Sequence, residues 1–300
     1  MTALPLGSLV FEPGFFSNAP VRVALTIGAV TAVVSGVVGT FTVVRGQSFA
    51  GHSLADIGTA GGSAAFLVGA NPLYGFVAMN LLAAGAMELI GVRKPRGRDL
   101  ATGVVLGAAL GLAALFLYWD TTSTSTTGAT VNVLFGSIFT LPSSLIPAVI
   151  VLSVVAIGII ATLYRPLLLS SLSADLAAAR GVPLRLVGIG FLAALALAVS
   201  LSAVTIGAIL STALLIGPAA IALRLSRRTG IAILTACALG VGITWLGILL
   251  AYDSYYWSSS HTSWPVSFFV VALVFVLFVI VDAVASRRAT RRTPRVTEDG

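Results

Sequence analysis

The chain has 300 residues, 58% of them apolar and 9% charged, where globular domains carry roughly 45–50% and about 25%. That little charge cannot solvate a soluble protein of this length, and the net charge of +7 lies in short basic clusters between apolar runs, which argues for membrane orientation and against a nucleic-acid partner. The single cysteine, Cys237, sits in an apolar run and excludes an intrachain disulfide framework and a cysteine-based metal site.

Residues 1–20 read as an external interfacial segment. Met1 to Phe16 lacks a basic start and carries Pro5, Glu12 and Pro13, so no cleavage as a signal peptide is expected. Residues 21–285 form the transmembrane domain. A helix needs about 20 apolar residues to cross the hydrocarbon core. Such runs are Val23–Val44, Ser48–Ala70, Leu73–Val92, Leu100–Trp119, Leu145–Leu163, Ile231–Tyr252 and Val266–Val284. The uncharged stretch from Leu186 to Leu223 is too long for one crossing and predicts two short helices with a turn near Ser200–Thr205. The fold class is therefore all-α and polytopic, with about nine transmembrane helices and eight as the alternative. With nine, every basic residue except Arg22 falls on one side, which places the N-terminus outside and the C-terminus in the cytoplasm. Asp120 to Thr130 is a Ser/Thr-rich external connector. Tyr252, Tyr255, Tyr256, Trp257 and Trp264 form an interfacial aromatic belt against membrane lipid. Residues 286–300 make a basic cytoplasmic tail, expected to be disordered beside anionic headgroups.

Few polar side chains lie within the spans. His52 and Asp56 stand four residues apart, so both project from one helical face. Ionisable groups inside a membrane face a cavity or a partner helix. An imidazole and a carboxylate make a mixed N/O donor set suited to Zn²⁺, Mn²⁺ or Fe²⁺. A hydrogen-bonded pair joining two helices and a proton relay are the other readings. Gly51, Ser53, Ala55, Gly58, Ala60, Gly61, Gly62, Ser63 and Ala64 give the same helix a small-residue surface for close packing. It is expected to pack centrally, beside its own copy in a second subunit. Glu88 is expected to snorkel or to pair with Arg93. Asp120, Asp253 and His261 read as solvated loop residues, Met79 and Met87 as packing. Pro218 predicts a helix kink.

Residues 165–185 contain a further pattern. Ser173 is placed as an N-cap, Asp175 in the first turn, Gly181 at the C-terminal stop and Pro183 beyond it. This predicts a two-turn helix outside the membrane, either a surface linker or a docking element for a cytoplasmic partner.

Five segments in order resemble the permease subunits of metal-ion ABC importers. They are Val43-Val44-Arg45-Gly46-Gln47-Ser48-Phe49-Ala50-Gly51, Arg98-Asp99-Leu100-Ala101-Thr102-Gly103, Leu134-Phe135-Gly136-Ser137-Ile138, Tyr164-Arg165-Pro166-Leu167 through Ala179-Arg180-Gly181-Val182, and Leu214-Leu215-Ile216-Gly217-Pro218-Ala219-Ala220. The resemblance implies a type II importer-like permease fold and a homodimer served by cytoplasmic ATP-binding subunits and an extracytoplasmic metal-binding protein. It implies manganese, zinc or iron(II) as the transported ion, with no tightly bound cofactor. It assigns His52 and Asp56 to metal passage, and Ser171, Ser173, Asp175, Leu176, Arg180 and Gly181 to coupling with the ATPase. The family's second span begins Gly-Asp-Ala-Leu-Ser-His; here Gly51-His52-Ser53-Leu54-Ala55-Asp56 carries the same two residue types exchanged. The chain lacks a Walker A sequence, so it is not expected to be an enzyme on its own. The alternative is a proton-coupled secondary transporter using Asp56 and His52.

Overall fold

A computed structural model describes residues 14–91, 95–124, 128–136, 138–226, 228–257 and 263–290. In chain order the helices are α1 (Ala19–Val44), α2 (Ser48–Leu67), α3 (Pro72–Gly91), α4 (Pro95–Thr124), α5 (Gly128–Phe135), α6 (Ile146–Leu172), α7 (Ala174–Ala179), α8 (Leu184–Ile206), α9 (Ser211–Leu225), α10 (Thr229–Trp257) and α11 (Val266–Thr290). No strand occurs among the described residues. Among the described residues seven helices, α1, α3, α4, α6, α8, α10 and α11, are long and apolar enough to cross a bilayer. The expected nine is reached by adding α2, of 20 residues, and the 15-residue α9.

Helix α8 is the central post. Every residue from Ala194 to Ile206 is buried, and α8 packs against α1, α3, α6 and α9. Helices α2, α3 and α4 form one flank, while α1, α9, α10 and α11 form the other. Polar side chains join helices across this interior. Asn80 Nδ2 of α3 donates to Ser200 Oγ at 2.9 Å, and the Ser35 and Ser202 hydroxyls of α1 and α8 lie 2.9 Å apart. Such bonds hold helices together where lipid offers no polar alternative.

The break between α8 and α9 falls at residues 207–210, not at Ser200–Thr205. The Ser200, Ser202 and Thr205 hydroxyls donate to the carbonyls of Ala196, Ala198 and Leu201 one turn back, so these residues stay helical. The chain turns at Gly207, whose φ is +94°. Only glycine fits there, because a Cβ would run into the Leu134 carbonyl at the end of α5. Backbone bonds from Ala208 N–H to Val133 O at 3.0 Å and from Ile209 N–H to Leu134 O seal this meeting point.

The Ser/Thr-rich connector is also largely helical. Thr121 and Thr122 donate to the Leu117 and Tyr118 carbonyls and prolong α4 to Thr124, and α5 begins at Gly128. Asp120 and Asp253 therefore lie inside α4 and α10 and are buried, 4% and 0% exposed, not solvated loop residues. The aromatics expected to form a belt pack on one another and on neighbouring phenylalanines. Trp264 stacks on Phe269 at 6.0 Å, and Tyr252 meets Phe15 edge-on at 5.3 Å. Helix α11 continues to Thr290, into the segment expected to be a disordered tail; the run Ala-Ser-Arg-Arg-Ala has ample helix propensity. Residues 1–13, 291–300 and His261 lie outside the described residues.

Candidate ion site and coupling segment

Helix α1 ends where Gly46 takes φ +64° and Gln47 N–H reaches back to Thr42 O at 2.9 Å. This closure leaves three residues before α2 begins at Ser48. His52 and Asp56 occupy its second and third turns. His52 Nε2 lies 3.6 Å from Asp56 Oδ2, with 49% and 21% of the side chains exposed. That separation exceeds a hydrogen bond, so both groups keep lone pairs available. They share the uncovered face with Phe49, itself 50% exposed.

The opposite face of α2 is filled by its own chain. Gly61 meets the backbone of Gly75 on α3, and Gly58 and Gly62 sit against Asn80 and Phe76. Gly58, Gly61 and Gly62 thus give the close helix packing expected of small residues, here against α3 of the same subunit. Below Asp56, Thr59 donates to the Asp56 carbonyl at 2.5 Å and Ser63 to the Thr59 carbonyl at 2.6 Å, which satisfies both hydroxyls inside the helix.

Among the described residues no three His, Cys, Asp or Glu side chains gather as a metal cluster. Among the described residues His52 and Asp56 thus present two donors, whereas transition ions take four to six. Glu88 does not snorkel. It is 7% exposed, and its carboxylate lies against Gly188 of α8. Arg93, its expected partner, lies outside the described residues. A surface ion pair missed in the sequence joins Arg224 of α9 to Asp282 of α11, with the guanidinium over Phe278. Pro218 is buried within α9, and Pro166 lies within α6.

The candidate coupling segment follows α6. Ser173 adopts extended backbone and its Oγ accepts from Leu176 N–H at 3.2 Å. Gly181, at φ +76°, ends the helix, with Val182 N–H bonding Ala177 O at 3.0 Å. Ala177 faces inward, whereas Asp175, Leu176, Arg180 and Gly181 are exposed. Leu172 and Leu176 present 85% and 47% of their surface. These two leucines lie uncovered beside the exposed Asp175 and Arg180. Ser171 turns inward and bonds Leu167 O at 2.6 Å.

Residues 18–282 match the ABC 3 transport family. The manganese transport system membrane protein MntC of Listeria monocytogenes is 27% identical over 174 residues, covering 58% of this chain and 61% of that protein. The manganese import system permease protein ScaB of Streptococcus parasanguinis is 29% identical over 168 residues, 56% of this chain and 57% of its own. The chain thus spans less than two thirds of these relatives. In structure it resembles PsaBC from Streptococcus pneumoniae in complex with Fab, with TM-score 0.75, 24% identity and coverage of 89% and 92%. An inward-facing metal-chelate-type ABC transporter matches with TM-score 0.67 and 18% identity, over 94% of this chain and 91% of that one.

Proposed function

The chain belongs to the ABC 3 transport family, and from that premise we propose that it is the membrane subunit of an ATP-driven importer of a divalent transition metal, manganese first. The observation that carries this reading is the His52–Asp56 pair, 3.6 Å apart on the face of α2 that its own chain leaves uncovered. The two groups lie within ion-pair range of each other and both reach the subunit surface, where an ion can approach them. The relatives named for manganese transport support that ion, and an imidazole with a carboxylate suits Mn²⁺, Zn²⁺ and Fe²⁺ alike.

In this reading a second copy contributes its own His52 and Asp56, bringing the donors to four. Exchangeable N/O ligation holds the ion briefly and lets it pass. An extracytoplasmic metal-binding protein delivers the ion at the external face. Cytoplasmic ATP-binding subunits dock on α7 through Leu172, Leu176, Asp175 and Arg180, and the C-terminus lies on their side.

The test is Mn²⁺ uptake by proteoliposomes holding the permease with its ATP-binding subunits. His52→Ala and Asp56→Ala each reduce ATP-dependent uptake at least about tenfold. Unchanged uptake in both variants would remove the pair from the pathway. Uptake that persists without ATP and collapses with an uncoupler would mark a proton-coupled carrier instead.

A further inference from the structure

Helix α11 carries a groove that neither the ion site nor α7 uses. Phe268, Val271, Ala272 and Phe275 follow Ser267 at one, four, five and eight residues, so the five form a single stripe along the helix. With Trp264 they wall a cavity of about 600 Å³, bounded on its other side by Phe135 at the end of α5 and by Leu210 just before α9. Ala272 makes the space, as the small residue between the exposed rings of Phe268 and Phe275. From Ser267 to Phe275 the stripe runs about 12 Å along the helix axis.

The walls and their direction select the occupant. Apart from the Trp264 indole, Ser267 supplies the one polar side chain of the lining, which leaves no ligands for an ion and no counter-charge for a charged peptide. The crossing part of α11, Val266–Ala285, is mostly uncovered by protein, so in a bilayer the groove is continuous with the surface that meets lipid. The open face of α2, which the proposed function gives to a second copy, belongs to the opposite flank of the molecule. At the mouth of the groove Trp264 is held in place: its backbone N–H donates to Ser254 Oγ at 2.9 Å and its ring stacks on Phe269 at 6.0 Å. Tryptophan settles at the level of lipid headgroups, and a groove that runs inward from there along a crossing helix has the direction of a lipid chain. The Ser267 hydroxyl is buried and has no hydrogen-bond partner among the described residues. Such a group is costly until an acceptor is supplied, and the ester carbonyl at the head of an acyl chain is one.

We propose that this groove is a specific phospholipid site, in which one acyl chain of a bilayer lipid lies between α11 and the Phe135–Leu210 wall and its ester carbonyl accepts from Ser267 Oγ. The inference rests on the chain crossing a membrane and not on the ion it carries. The bound lipid fastens α11 to the junction where Ala208 N–H bonds Val133 O.

The test uses the full chain purified in mild detergent, with dioleoyl phosphatidylglycerol as the probe and native mass spectrometry as the readout. The wild-type chain keeps one lipid bound after exchange into lipid-free detergent. Ala272→Phe fills the groove and weakens retention about tenfold or more, and Ser267→Ala weakens it about fivefold. Ile280→Phe, at an exposed α11 position outside the groove, retains lipid as the wild type does. A second measurement does not depend on the bulky variant folding. In a Cys237→Ser background, added lipid slows maleimide labelling of Ala272→Cys about tenfold relative to Ile280→Cys. No retained lipid in the wild type, unaltered retention in a folded Ala272→Phe chain, or equal protection of the two cysteines means annular lipid only and overturns the site. A disulfide between two Ala272→Cys chains overturns it as well, because a second copy would then fill the groove. A wild-type complex that moves no Mn²⁺ with ATP overturns the proposed function and leaves these readouts untouched.

Discussion

The two faces of α2 are built to opposite ends. Toward α3, glycines bring backbones into contact, with Gly61 against Gly75 and Gly58 and Gly62 under the Asn80 and Phe76 side chains. Away from α3, Phe49, His52 and Asp56 stand uncovered. Packing density makes the first face intolerant of any added atom. The second face carries groups that make few contacts within the subunit, and in the proposed reading they are kept for the transported ion. Under the proposed function, α2 divides close packing and ion ligation around its axis.

That division can be broken most severely at Gly61. Gly61→Leu drives a side chain into the Gly75 carbonyl, at a cost of about 3 kcal/mol or more. The expected result is loss of monodisperse, folded protein in detergent by size-exclusion chromatography. His52→Ala and Asp56→Ala sharpen the contrast from the other side. Their thermal unfolding in detergent stays within about 0.5 kcal/mol of wild type, even as uptake fails. A large drop in melting temperature would show that the pair holds the fold.

Smaller effects come from a residue away from α2 and from exchanging the pair itself. Ser173→Ala removes the acceptor for Leu176 N–H and costs about 1 kcal/mol of local helix stability. The variant is expected to bind the ATP-binding subunits more weakly in pull-down titrations while Mn²⁺ binding to the permease is retained. The smallest change is the exchange His52→Asp with Asp56→His. It keeps both donor types on one face, so uptake falls less than in either alanine variant. An exchange as damaging as the alanines would mean that the order of ligands along α2 matters as much as their identity.

Much of this architecture is legible from local pattern. The α7 segment follows from Ser173, Asp175, Gly181 and Pro183, because capping satisfies backbone groups within a few residues. The shared face of His52 and Asp56 follows from helical geometry alone. Glu88 was not legible, since nothing near it in sequence says that its carboxylate meets Gly188 from another helix. Asp120 and Asp253 misled for the same reason: beside Ser, Thr and Tyr they look like loop residues, but the helices continue through them. The small residues of α2 announced close packing and left open against what.

What the sequence by itself determined is a membrane-embedded, all-helical chain, the approximate number of its helices, and the pair of donors projecting from α2. Those properties depend on composition and on spacings of three or four residues, which act without knowledge of the rest of the fold. Only the tertiary structure decided that α2 spends its glycines on α3, that the chain turns at Gly207 because α5 arrives there, and that Arg45 reaches Ser170. Each of these is settled by an atom supplied from a distant part of the chain, and sequence periodicity carries no record of which helix stands opposite.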